Sequence, residues 1–336
     1  MAPDTGAPSI DTLVVGAGIA GLVAARELTD GGLTVALVEA GTSVGGRLST
    51  VALGGGRLDD GAQFFTVRGK EFGSVVAQAR ADGAVRQWCL GFGDPPDGYR
   101  RYAGAGGMRG FADWLARDLP VRTNTALTSL GVQDGAWVAT DRAGSISRAA
   151  SVVLTPPIPQ SLALLEAGSV QVPAAISPVL HRVDYFATLA VLAVLDGPPA
   201  VPEPGGVQSD ETEPFTFVSD NRRKGISAVP AITLHANHAY SLQHFSDDND
   251  AVLRDLLQLA QPWLGKASVQ EARLKRWRYA GPVQPIAERT LAIEVDGAIG
   301  TFAGDAFGGP KVEGAFNSGL AAARTLLAEL ARRSPF

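Results

Sequence analysis

Cysteine is nearly absent from this 336-residue chain: Cys89 stands alone. No internal disulfide can form and no cysteine cluster can hold a metal, a usage that fits a reducing cytoplasm. Histidine is scarce too, and none of the four histidines falls in a ligand-spaced motif. His235 and His238 are three apart, which on a single strand sets them on opposite faces, so no metal is expected. A strong charge of either sign is also missing. The net charge of −5 argues against nonspecific attraction to nucleic acid or to an anionic membrane. No segment approaches the roughly 18 uninterrupted apolar residues of a membrane span. The start, "MAPDTGAPSI", lacks the basic opening and apolar run of a signal peptide. A cytoplasmic location is expected, with Met1 to about Ser9 a loose leader.

What is there is an ordinary globular composition, 46% hydrophobic against 19% charged, in a chain long enough for two domains. "TLVV" (12–15) and "TVALV" (34–38) are apolar runs without alternation, as expected of parallel strands covered on both faces. Between them "IAGLVAAREL" forms helix readily and is stopped by Asp30, Gly31 and Gly32. "SVVL" (151–154), cut off by "TPPIP", and "GTFAG" (300–304) supply further matching strands, so this α/β domain is assembled from distant pieces of chain. The middle differs. Segments 185–195, 215–220, 231–237 and 268–280 are strands rich in β-branched and aromatic residues, separated by proline- and glycine-rich loops. They predict an antiparallel sheet in a second, α+β domain. A helix capped by Asp247 or Asp248 interrupts them, and a long closing helix begins near residue 312. The expected bounds are 10–70, 103–156 and 281–334 for the dinucleotide domain, and 71–102 and 157–280 for the substrate domain.

The turn after the first strand carries Gly16, Gly18 and Gly21 as GxGxxG. Glycines there permit the tight turn, close approach of a pyrophosphate and packing of helix on strand. The helix N-terminus then offers amides and a partial positive charge to the phosphates. Glu39 ends the second strand and is placed to accept from both ribose hydroxyls, favouring a ribose without a 2′-phosphate. The fingerprint alone does not separate NAD from FAD. "GGRLST" (45–50) follows, with Arg47 at its centre, and this spacing resembles the second glycine signature of the FAD-dependent amine oxidase and hydroxylase superfamily.

More of the chain agrees. "LDDGAQFFT" (58–66), "RYAGAGGMRGF" (101–111), "NRRKG" (221–225), "ITLHA" (232–236), "KRWRYAGP" (275–282) and "GDAFGGPKVEGAFNSGLAAA" (304–323) together resemble the bacterial renalases, over about residues 13–330. The resemblance implies a Rossmann-like FAD-binding domain and non-covalent FAD. The implied reaction is oxidation of misreduced 2- and 6-dihydroNAD(P) to NAD(P)⁺, by hydride transfer to flavin N5 with O2 reoxidising the flavin to yield H2O2. It implies that Asp305 binds FAD, and that Val312, Glu313, Gly314 and Ala315 open the closing helix beneath the isoalloxazine. There the positive helix end would face charge on reduced flavin. Gln63 would meet the flavin edge. Phe64 either lines the ring or belongs to the core.

Asn221 and His235 match the pair facing the substrate in that family, His235 holding and polarising the substrate ring. His181, His238 and His244 are read as structural. Trp277 and Tyr279 share a strand face with Lys275 and either wall a flat substrate or pack the sheet. Arg222, with Arg223, Lys224, Arg276 and Arg278, would attract a pyrophosphate, unless these cations are simply solvated. "AGAGGM" (103–108) and "DAFGGPK" (305–311) depart from the family pattern and imply a differently shaped cavity. A second reading is a flavin amine oxidase or desaturase acting on a metabolite C–N bond. Further readings are a non-catalytic FAD module and an NAD-dependent dehydrogenase.

Overall fold

The computed structural model describes residues 10–93 and 95–333; the expected leader lies outside them. The chain forms two compact units, residues 1–46, 115–183 and 284–336, and residues 47–114 and 184–283.

In the first unit the strands Ile10–Val15 and Val35–Val38 pair in parallel, and Ile10–Val15 also pairs in parallel with Ile146–Leu154, which pairs in parallel with Ala298–Phe302. Both faces are covered, so Val35–Val38 is buried at every residue. That is why these strands read as unbroken apolar runs. The edges are Leu291–Val295, antiparallel, and the short Val121–Arg122, parallel. The helices Ile19–Asp30 and Lys311–Arg333 cross backbone to backbone. A Cβ on Gly319 would lie 2.2 Å from the Ala20 carbonyl oxygen, so only glycine permits this approach.

The second unit holds a five-stranded antiparallel sheet in the order Gly206–Gln208, Phe215–Asp220, Ala231–Ala236, Tyr185–Leu195, Val269–Pro282. Along Tyr185–Leu195, Leu189, Val191, Ala193 and Leu195 pack into a core that includes Leu256 of the helix Asn249–Leu259. Leu192 and Val194 face the other way, against Leu58 and Ala231. Burial on both faces removes the polar alternation expected of a half-exposed strand. Asp248 caps Asn249–Leu259 by accepting from the Ala251 amide at 2.9 Å.

Several placements differ from the sequence expectation. His238 does not share a strand with His235: the strand ends at Ala236, Asn237 caps, and His238 opens a helix. The hairpin Thr50–Leu53/Gly56–Asp59 and residues 103–114, expected with the dinucleotide domain, lie in the second unit. Leu58 is sealed into that unit's core. Residues 157–183 lie in the first unit, because Gly168 packs directly on Leu130 and Gly131. Among the described residues, no helix is long and apolar enough to cross a membrane.

Candidate active site

The first unit carries the glycine turn in a form that suits a dinucleotide. Gly16 adopts a φ of +95°, a region L side chains avoid. A Cβ on Gly21 would stand 1.9 Å from the Gly16 carbonyl oxygen, whereas one on Gly18 would meet nothing within 4 Å. Space is therefore kept at Gly18, at the N-terminus of Ile19–Asp30. That helix has no side-chain cap and no acid in its first turn, so its leading amides face outward without an internal anion. Glu39 accepts from the Ala17 amide (2.8 Å) and the Gly41 amide (2.7 Å), one bond to each carboxylate oxygen. It is half-buried, and each oxygen keeps acceptor capacity for a ribose hydroxyl. These residues fit the ADP half of FAD. Asp305 is buried just beyond the strand Ala298–Phe302, and Val312, Glu313, Gly314 and Ala315 form the first turn of Lys311–Arg333. A Cβ on Gly314 would strike the Gly309 carbonyl oxygen at 1.8 Å.

The second unit gathers polar groups on the sheet face opposite the helix Asn249–Leu259. Asp59 ends the strand Gly56–Asp59 and is fully buried. Its Oδ1 accepts from the Thr50 hydroxyl (2.5 Å) and the Met108 amide (2.8 Å), and its Oδ2 from Lys224 Nζ (2.6 Å). Lys224 is fully buried as well; it also donates to Gln63 Oε1 at 3.3 Å and lies 5.0 Å from the centre of the Trp88 ring. Burial pushes the Lys224 ammonium below the usual lysine range, and Asp59 opposes that shift. An ion pair this dry persists only because hydrogen bonds satisfy both partners.

Two consecutive carbonyls organise the rest. The Asp59 carbonyl accepts from Gln63 Nε2 (2.7 Å) and the Thr233 hydroxyl (3.1 Å). The Asp60 carbonyl accepts from Trp277 Nε1 (2.6 Å) and from His235. His235 Nε2 is buried without a hydrogen-bond partner. Burial, then the charge of Lys224, push His235 down to about 4. The ring is neutral at physiological pH.

Asn221 donates from Nδ2 to Thr233 Oγ1 at 2.9 Å, leaving Oδ1 buried without a partner. Thr233 and His235 are two apart on one strand and share a face. Asn221 therefore reaches the strand that carries His235 through Thr233, with no direct bond between the expected pair.

The other expected residues separate. Both Gln63 amide protons are spent on the Asp59 and Gly61 carbonyls, so any bond to a flavin edge must come through Oε1. Arg47 donates to the carbonyls of Tyr279 and Ala280. Phe64 joins Phe92 and Phe217 in an aromatic group that continues to Trp88. Trp277 lies under Lys275 Nζ at 4.2 Å, and Tyr279 packs edge-on against Tyr185. Arg222 is exposed. Arg276 is withdrawn from any pyrophosphate role: it points to the opposite face and binds the carbonyls of His244, Phe245 and Asp247.

Lys224 is the residue sequence reasoning missed. Its run "NRRKG" reads as solvated charge, but the turn after Phe215–Asp220 returns the third cation inward through the bond from the Lys224 amide to the Asp220 carbonyl. The one available signal was the acid doublet Asp59–Asp60 directly after the apolar Leu58.

Comparison with known proteins agrees with this geometry. The model for the NAD(P)-binding Rossmann-like domain matches residues 14–79, and that for flavin-containing amine oxidoreductases matches residues 77–327. Polyamine oxidase 1 of Oryza sativa subsp. japonica is 46% identical over 76 residues, which is 22% of this chain and only 14% of that relative's length. A protein assigned as a protoporphyrinogen oxidase from Exiguobacterium sp. 255-15 shares the fold, with a TM-score of 0.70 at 16% identity, over 98% of this chain and 100% of its own. So does a putrescine oxidase bound to putrescine, with a TM-score of 0.66 at 15% identity, over 97% of this chain and 100% of its own. Since the oxidoreductase model covers most of its length, the chain belongs to the flavin-containing amine oxidoreductase family.

Proposed function

We propose that this flavoenzyme is renalase-like and oxidises the 2- and 6-dihydro isomers of NAD(P)H, in preference to the cationic amines handled by proteins of similar fold. The observation that carries this reading is the charge balance of the polar face in the second unit. Its carboxylates, Asp59, Asp60 and Asp97, are engaged by Lys224, Lys275 and Arg101. Arg86, with Nη2 buried and without a hydrogen-bond partner, adds a fourth cation. Among the described residues of that face, each of these carboxylates already has a cation of the chain beside it. The aromatic group would otherwise suit an amine, but the chain's own cations occupy it: Arg101 lies over Phe64 and Phe92, and Lys224 over Trp88.

A dihydropyridine needs no carboxylate partner. It loses a hydride, two electrons with one proton, and leaves as an aromatic cation without a general base. FAD, when bound, supplies the two-electron acceptor, and O2 takes the two electrons with two protons to become H2O2. The chain's own part is to hold the ring. Asn221 and His235 are assigned to its substituent by the family resemblance, Trp277 to its wall, and exposed Arg222 to the pyrophosphate.

Anaerobic mixing tests the reading by following the flavin absorbance with 2- and 6-dihydroNAD(P), putrescine and spermidine. The dihydropyridines are expected to bleach the flavin at least about a hundredfold faster, a difference of roughly 3 kcal/mol in barrier. Faster bleaching by a diamine would reverse the assignment.

A further inference from the structure

The glycine turn of the first unit is held from behind by a side chain outside the fingerprint. Thr155 follows the strand Ile146–Leu154, whose parallel register with Ile10–Val15 sets Leu154 beside Val15. Its hydroxyl lies 2.7 Å from the Val15 carbonyl oxygen and 3.1 Å from that of Gly16, one proton shared between two consecutive acceptors. Only glycines leave room for it: a Cβ on Gly16 would stand 2.6 Å from Thr155 Oγ1, and one on Gly21 3.2 Å from it. The Gly16 carbonyl is therefore turned inward, against Gly21 and Thr155. In a planar trans peptide the N–H points away from the C=O, so the Ala17 amide is turned the other way, where it donates to Glu39 Oε2 at 2.8 Å. The preceding peptide is fixed as well. Its Gly16 amide donates to the Val38 carbonyl at 2.8 Å, and its Val15 carbonyl also accepts from the Thr155 amide at 3.0 Å.

We propose that Thr155 is a positioning residue for FAD, which acts through the Gly16–Ala17 peptide to set the direction in which Glu39 presents its carboxylate. The relay runs from hydroxyl to carbonyl, across the peptide to the amide, and on to the acid. A proton on the carbonyl side also polarises the peptide and strengthens its N–H as a donor. Glu39 is half-buried, and its other oxygen accepts from the Gly41 amide at 2.7 Å. The inference rests on the assignment of Glu39 to the adenosine ribose. Its consequence is that a hydroxyl with no contact to the cofactor governs how strongly the protein distinguishes ribose from 2′-deoxyribose.

Alanine is the informative substitution. A valine methyl group at the place of Oγ1 would press on the Val15 carbonyl oxygen, 2.7 Å away, whereas Thr155→Ala removes the hydroxyl and leaves the backbone bond from the residue-155 amide to Val15 in place. Thr155→Ser keeps the hydroxyl and loses only the methyl group.

The experiment titrates the apoproteins of wild type, Thr155→Ser and Thr155→Ala with FAD and with FAD whose adenosine lacks the 2′-hydroxyl, following flavin fluorescence. Wild type and Thr155→Ser are expected to bind FAD about tenfold or more tightly than the deoxy form, and Thr155→Ala to retain about threefold or less. Equal weakening of Thr155→Ala toward both cofactors, with the preference kept, overturns the proposal and leaves Thr155 a support of the fold alone. If wild type shows no preference, the ribose assignment of Glu39 falls, and amide hydrogen exchange at Ala17 in the apoproteins decides the positioning role. Faster exchange in Thr155→Ala than in wild type and Thr155→Ser supports it; equal exchange in all three overturns it.

Discussion

Lys224 Nζ lies 2.6 Å from Asp59 Oδ2, with neither side chain exposing any surface. This pair joins the turn after Phe215–Asp220 to the hairpin that ends at Asp59, and the Asp59 carbonyl in turn anchors Thr233. One buried charge pair thus holds the residue whose carbonyl Thr233 bonds. Breaking it is costly because the survivor keeps its desolvation cost without its partner.

Lys224→Met should therefore destabilise the protein by about 3–5 kcal/mol in urea unfolding. The double variant Lys224→Met/Asp59→Asn should recover most of the loss, since Thr50 and Met108 can still donate to the amide oxygen at position 59. A single variant within about 0.5 kcal/mol of wild type would mean that the pair contributes little.

Alanine at two of the fingerprint glycines should act differently. At Gly21 the new methyl group would stand 1.9 Å from the Gly16 carbonyl oxygen, so Gly21→Ala should lower both stability and flavin content. At Gly18 the space is open, and Gly18→Ala should leave the apoprotein within about 0.5 kcal/mol of wild type while weakening FAD binding by about tenfold or more. Flavin absorbance per protein and urea midpoints of the apoproteins check this; equal flavin affinity in Gly18→Ala would show that the space does not hold the phosphates.

The pH dependence of stability should carry a signature of His235. Its imidazole is held down to about 4 in the folded protein, against 6.5 ordinarily. Between these values the unfolded chain binds the extra proton. Unfolding free energy should therefore fall as pH drops from about 6.5 toward 4, by at most about 1.4 kcal/mol per pH unit, with no contribution above that window. Acid-side urea titrations of wild type and His235→Asn test this by difference, which cancels the opposing effect of Asp60, whose carboxyl burial pushes up. Parallel curves would place the His235 ring in a solvated setting.

Much of the architecture could be read from local pattern. The parallel strands, the glycine turn, Glu39 and the antiparallel middle segments follow from short-range periodicity and turn chemistry, which any stretch of a dozen residues expresses. Asn221 and His235 are assigned through family resemblance and not through local pattern. What escaped was which of several like residues is buried. Arg222 and Lys224 stand in one basic run, but one is exposed and the other sealed. Arg276 looked like part of a phosphate-attracting strand and instead ties down a loop.

The sequence by itself determined the kind of unit each segment forms and the dinucleotide fingerprint, because backbone conformation and apolar period are written within a few neighbouring positions. Only the tertiary structure decided which polar side chains are buried and what they pair with. Lys224 meets Asp59 across 165 positions and Thr233 meets the Asp59 carbonyl across 174. Whether a hydroxyl, an amide or an imidazole accepts or donates depends on which distant carbonyl already holds its proton.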